Sequence, residues 1–86
     1  MKITEVRITL RDESKLKAFV DVVFDDAFVI HGMKVIKGKE DFFVAMPNKK
    51  GKDGVFRDMA HPINSEMRTK LEAAILNAYE AKLKAK

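Results

Sequence analysis

The sequence predicts an α+β domain, a small antiparallel four-stranded meander sheet followed by a C-terminal α-helix. Three observations carry that reading. Residues 2–46 fall into segments of apolar and polar alternation with a period of two, the mark of half-buried strands. The connections between these segments are a few residues long, whereas parallel pairing needs crossovers of a dozen or more. From Asn64 onward the apolar spacing becomes helical.

The first strand, Lys2 to Leu10, sets Val6, Ile8 and Leu10 on one face against Glu5, Arg7 and Thr9 on the other, and Arg11-Asp12-Glu13-Ser14 reads as its turn. The second, Leu16 to Phe24, sets Leu16, Ala18, Val20, Val22 and Phe24 on one face, while Phe19 and Val23 make its other face only partly polar. Asp25-Asp26-Ala27 is a short break, consistent with a tight hairpin although it lacks an Asn-Gly or Asp-Gly signal. A third strand, Phe28 to Lys37, turns at Lys37-Gly38-Lys39 into a fourth, Phe42 to Met46, which stops at Pro47. Residues 47–54 then read as a basic loop and residues 55–63 as a connector. The helix is expected over residues 64–84, with Asn64 as N-cap, Glu66 in the first turn, and Lys82, Lys84 and Lys86 near the negative end of the helix dipole. Met67, Leu71, Ala74, Ile75 and Ala78 form the stripe that should pack on the sheet. Leu76, Tyr79 and Leu83 widen it to one side, read either as partly exposed flank or as a subunit contact. No repeat, low-complexity segment or linker divides the chain, so residues 1–86 are expected to be one domain.

Composition narrows the chemistry. With 47% hydrophobic and 35% charged residues the chain is an ordinary globular one. It has no cysteine, which removes disulfides, thiolate metal sites and thiol nucleophiles. The first residues lack the apolar core of a signal peptide, and no apolar run approaches the roughly 20 residues of a membrane helix, so a cytoplasmic protein without a membrane partner is expected. The net charge of +4 favours polyanionic partners.

The raw materials of a hydrolytic triad, Ser14 or Ser65 with His31 or His61, are not linked by any spacing, and Asp25-Asp26 is a turn pair more readily than a catalytic pair. Two histidines thirty residues apart give no zinc motif, and Gly51-Lys52-Asp53-Gly54 lacks the Walker spacing. No cofactor and no small-molecule substrate are therefore expected. The charge itself is uneven. Lys49, Lys50, Lys52 and Arg57 face a single aspartate between residues 48 and 57, and Arg68, Thr69 and Lys70 follow the helix N-cap, where side chains and backbone amides can meet phosphate. Each cluster alone reads as solvated surface; together they favour nucleic-acid binding. Phe42 and Phe43, being adjacent, should point to opposite faces, one to the core and one to an interface.

The runs Phe43-Val44-Ala45-Met46-Pro47-Asn48 and Phe56-Arg57-Asp58-Met59-Ala60-His61-Pro62-Ile63-Asn64, with Phe28 to Ile36 and the opening Met1 to Ile8, closely resemble the bacterial stage V sporulation protein G family, the SpoVG septation proteins. The resemblance extends over essentially the whole chain. It implies a homodimeric cytoplasmic regulator that binds DNA and also RNA, with binding by basic residues at the start of the C-terminal helix, here Arg68 and Lys70 with Thr69 between them. The expectation is a dimeric, non-enzymatic DNA- and RNA-binding regulator, with Lys49, Lys50, Lys52 and Arg57 as added contacts. A protein-protein adaptor in cell division, its basic charge incidental, is the alternative. A small enzyme would instead need a pocket lined by His31 or His61 and a carboxylate.

Overall fold

The computed structural model describes residues 1–85, and Lys86, expected at the helix C-terminus, lies outside them. Strands β1 (Ile3–Leu10), β2 (Leu16–Phe24), β3 (Phe28–Lys37) and β4 (Phe42–Ala45) form one antiparallel sheet in chain order. After β4 come a two-stranded hairpin, β5 (Asn48–Lys50) and β6 (Phe56–Asp58), and the helix α1 (Ser65–Ala85). The α+β meander expected from the short connections is the one observed.

The inner face of the sheet supplies Ala18, Val20, Val22 and Phe24 from β2, Met33 and Val35 from β3, and Val44 and Met46 from the β4 end, all buried. Helix α1 crosses this face, packing on β1 and β4, and closes the core with Leu71, Ile75 and Tyr79. Tyr79 belongs to the core, with its ring centroid 5.6 Å from that of Phe42, rather than to a widened outer flank. Ala74 and Ala78 are half-buried beside that row. Asn64 caps the helix, its Oδ1 accepting from the Met67 amide at 2.7 Å.

Two local devices set the register. Asp25 and Asp26 both adopt positive φ, 52° and 51°, and the Ala27 amide donates to the Phe24 carbonyl at 2.9 Å, a tight turn with two left-handed residues whose short polar side chains tolerate that conformation. The start of β1 braces it through the Lys2 amide on Asp25 Oδ1 at 3.0 Å. In β3, Gly32 has φ 87° and the pairing shifts between Val20 and Val22, so that one extra residue of β3 lies opposite β2. That bulge turns both Ile30 and Met33 toward the core, which regular alternation forbids for residues three apart.

Residues 47–54, expected as a loop, and the connector 55–63 instead contain the β5–β6 hairpin, paired Asn48 with Asp58, Lys49 with Arg57 and Lys50 with Phe56. Asn and Lys are poor strand formers, so composition hides this ladder. The Met59 amide, 2.6 Å from the Pro47 carbonyl, closes its base, and the hairpin stands out from the sheet without a substantial contact on α1. The radius of gyration, 13.1 Å, exceeds the value of about 12 Å for a compact chain of this length. The accessible surface, 6357 Å², likewise exceeds the roughly 5,200 Å² of a free monomer of this mass.

Candidate nucleic-acid interface

The hairpin tip is a built structure. The Gly51 amide donates to the Val55 carbonyl at 2.9 Å, the Gly54 amide to the Gly51 carbonyl at 3.0 Å, and the Val55 amide to Asp53 Oδ1 at 3.1 Å. Across it, Arg57 Nη2 donates to Asp53 Oδ2 at 2.8 Å and Nη1 to Oδ1 at 3.3 Å. The pair passes close over Gly51, where a Cβ would lie 2.6 Å from Arg57 Nη1 and 2.8 Å from Asp53 Oδ1 and would push these side-chain ends aside. The pair also answers an electrostatic problem, since Lys49 and Arg57 are directly opposite and like charges so placed repel. Of the four hairpin cations, Arg57 is thus engaged by Asp53, whereas Lys49, Lys50 and Lys52 take part in no ion pair among the described residues. All three are exposed, Lys50 with its Nζ 6.0 Å from the Phe56 ring centroid.

The Arg57 hydrogen bond, followed by that from the Val55 amide, holds the Asp53 carboxyl below its ordinary value of 3.8. A depressed carboxylate stabilises the fold above its ordinary value, and the contribution is lost as pH falls through the lowered one. Protection of the Gly51 and Val55 amides against hydrogen exchange is expected to stay level from neutral pH to about 5 and to fall below 3.8, with Asp53→Asn removing that acid transition. A transition unchanged in Asp53→Asn would show that another group orders the tip.

On α1, Arg68, Thr69 and Lys70 are all exposed, and neither basic residue has an ion-pair partner among the described residues. Residues two apart on a helix do not share a face, so Arg68 and Lys70 project to opposite sides of a helix about 10 Å wide. They are two separate contacts. Asn64 occupies the Met67 amide and Glu66 sits in the first turn, so the helix end offers phosphate less than an uncapped one would. The structure does not merge the hairpin lysines and the helix-start cations into one continuous packed unit.

A third cationic group is scattered along the sequence and gathered only by the fold. Lys15, Lys37 and Lys39 come from two turns, β1–β2 and β3–β4, which a meander places at the same end of the sheet, and with Ser14, Ile36, Gly38 and Phe43 they line a cleft of about 530 Å³. Strand order alone would have brought them together.

The histidines sit apart from this chemistry. His31 Nδ1 is 3.0 Å from Asp21 Oδ1 on the open outer face of the sheet. His61 borders a cavity of about 180 Å³ whose other walls are mainly Met1, Phe24, Ile30, Met33, Met46, Met67 and Leu71, with no carboxylate in the lining. Ser14 lies in the first turn and Ser65 is the first helical residue, as read from the sequence. No helix among the described residues is long and apolar enough to cross a membrane.

A family model described as SpoVG matches residues 1–81. A protein of Caldanaerobacter subterraneus subsp. tengcongensis is 54% identical over 81 residues, covering 93% of this chain and 89% of its own length. One of Bdellovibrio bacteriovorus is 51% identical over 84 residues, covering 98% and 78%, and one of Clostridioides difficile is 52% identical over 84 residues, covering 96% and 91%. All three bear names that join SpoVG with septation.

Proposed function

This chain belongs to the SpoVG septation protein family, and on that premise we propose that it is a dimeric, non-enzymatic, cytoplasmic regulator that binds DNA and RNA through phosphate contacts. One observation carries the reading: Lys49, Lys50, Lys52, Arg68 and Lys70 are all exposed and none is neutralised by a carboxylate among the described residues. Cations left unpaired on a chain that also carries 13 acidic residues are available to release counterions from a nucleic acid. Arg57 is a weaker contact, because the Asp53 carboxylate already offsets its charge. Thr69, exposed between Arg68 and Lys70, can add a hydroxyl donor to phosphate.

Because Arg68 and Lys70 act on opposite sides of α1, their losses should add. Arg68→Ala with Lys70→Ala is expected to weaken duplex DNA binding and to flatten the log affinity against log salt slope by about 2 for each protomer in contact, roughly 0.9 per phosphate contact. An unchanged slope would remove both as phosphate contacts.

A second reading, a protein adaptor in cell division, draws support from the apolar exposure of Val55, Phe56, Met59 and Ile63. Mobility-shift titration at rising salt separates the two, because an adaptor forms no nucleic-acid complex at physiological ionic strength.

A further inference from the structure

We propose that the cleft around Phe43 is a base-stacking subsite for single-stranded nucleic acid, with Lys15, Lys37 and Lys39 as its phosphate rim. The inference rests on the nucleic-acid reading above and assigns it a second surface, at the end of the sheet that carries the β1–β2 and β3–β4 turns.

The ring of Phe43 is both fixed and available. Strand β4 alternates, so Phe42 turns inward onto Tyr79 while Phe43 turns to the outer sheet face, opposite Ile36 of β3. Gly38 lies under one edge of the ring; a Cβ there would sit 3.4 Å from Phe43 Cδ1 and 3.0 Å from the Asp41 carbonyl oxygen. The β3–β4 turn thus supports the ring from below, while 49% of the residue remains exposed. The neighbouring aromatic on the same sheet face, Phe19, has the Arg11 guanidinium 5.1 Å from its centroid and is already covered. On this outer face Phe43 is the open ring.

The rim supplies the complementary charge. Lys15, Lys37 and Lys39 line the cleft with no carboxylate among its walls, and none is in an ion pair among the described residues. The Lys37 amide donates to the Lys15 carbonyl at 2.8 Å, which fastens the backbones of the two turns to each other. An exposed aromatic beside a basic track is how proteins hold unpaired bases without reading sequence, the stacking and the phosphate contacts acting on the same strand. A duplex, whose bases are already stacked, offers only its phosphates.

The chain has no tryptophan, so Phe43→Trp introduces a unique indole reporter at the ring position. Titration with a thymidylate oligomer of about 12 nucleotides, within the span such proteins cover, is expected to quench the indole, while polyglutamate at equal charge leaves it unchanged. Phe43→Leu is expected to weaken binding of that oligomer about tenfold, with a much smaller effect on a duplex. The triple change Lys15→Gln, Lys37→Gln and Lys39→Gln should flatten the single-strand salt slope by about 2, at roughly 0.7 per contact. Binding by the wild type with no quenching of the indole, undiminished affinity in Phe43→Leu, or equal quenching by polyglutamate would overturn the subsite and leave the nucleic-acid reading standing. Absence of any salt-dependent binding by the wild type would overturn that reading, and the subsite with it.

Discussion

Ile75→Ala is expected to destabilise the protein by about 3 to 4 kcal/mol, within the range for truncating a buried isoleucine to alanine. Ile75 is fully buried and is one of the three residues by which α1 closes the core, between Leu71 and Tyr79. A domain of this size has only about 4 to 13 kcal/mol of total stability, so a large part of it rests on this side chain. The midpoint of thermal unfolding should fall by about 15 °C or more, given roughly 4 to 8 °C per kcal/mol for small domains. The check is denaturant and thermal unfolding followed by circular dichroism, at fixed protein concentration because the proposed dimer would couple stability to concentration. A loss below about 1 kcal/mol would mean that the helix is not seated on the sheet as described. Well below its midpoint the variant should still bind nucleic acid with the wild-type salt slope, since Arg68 and Lys70 are untouched, which separates loss of fold from loss of contact.

The elements that alternation and capping specify are legible in the sequence alone. Strands β2 and β3 fall at Leu16–Phe24 and Phe28–Lys37 as read, and Asn64 caps α1, because each signal is local: a period of two over nine or ten residues, or one side chain reaching three residues on. Phe42 and Phe43 diverge as adjacent strand residues must. What stayed hidden depends on partners distant in sequence. The bulge at Gly32 exists only relative to β2, and it alone explains why Ile30 and Met33 share the core. The β5–β6 ladder runs through Asn and Lys, which carry no strand signal, and is held by backbone pairs and by the Asp53 and Arg57 tip.

The candidate site divides along the same line. That Lys49, Lys50, Lys52, Arg68 and Lys70 are basic and exposed could be anticipated from their segments, but the pairing of Arg57 with Asp53 could not, since four residues apart in a loop imply no contact until the loop folds back. The cleft of Lys15, Lys37 and Lys39 was recoverable in principle, because alternate turns of a meander share an end of the sheet. Reading charge along the chain rather than across the topology conceals it.

The remaining large effect concerns the proposed dimer, and the expected result is that Phe56→Glu combined with Ile63→Glu converts it into a monomer of 9.8 kDa. The excess of about 1,200 Å² over a free monomer of this mass is more than the roughly 800 Å² that each partner contributes to a standard interface. Part of its apolar surface is a stretch in which Phe56 is 64%, Met59 71% and Ile63 90% exposed, with Met1 and Phe28 exposed elsewhere, whereas on the helix flank Leu76 is half-buried and Leu83 only 44% exposed. In a two-fold contact each substitution appears twice, so four carboxylates would be buried without partners, at a cost of several kcal/mol and at least a hundredfold in dissociation constant. Both side chains are already in water within the protomer, so the fold should survive, in contrast to Ile75→Ala. Analytical ultracentrifugation measures the mass directly. DNA affinity should fall along with it even though no cation has been touched, because the paired Arg68 and Lys70 sets would no longer be held on one body. A double variant that keeps the dimer mass would move the contact to the Leu76 and Leu83 flank, and a wild type that is monomeric at tens of micromolar would reassign the exposed apolar stretch to a different protein partner.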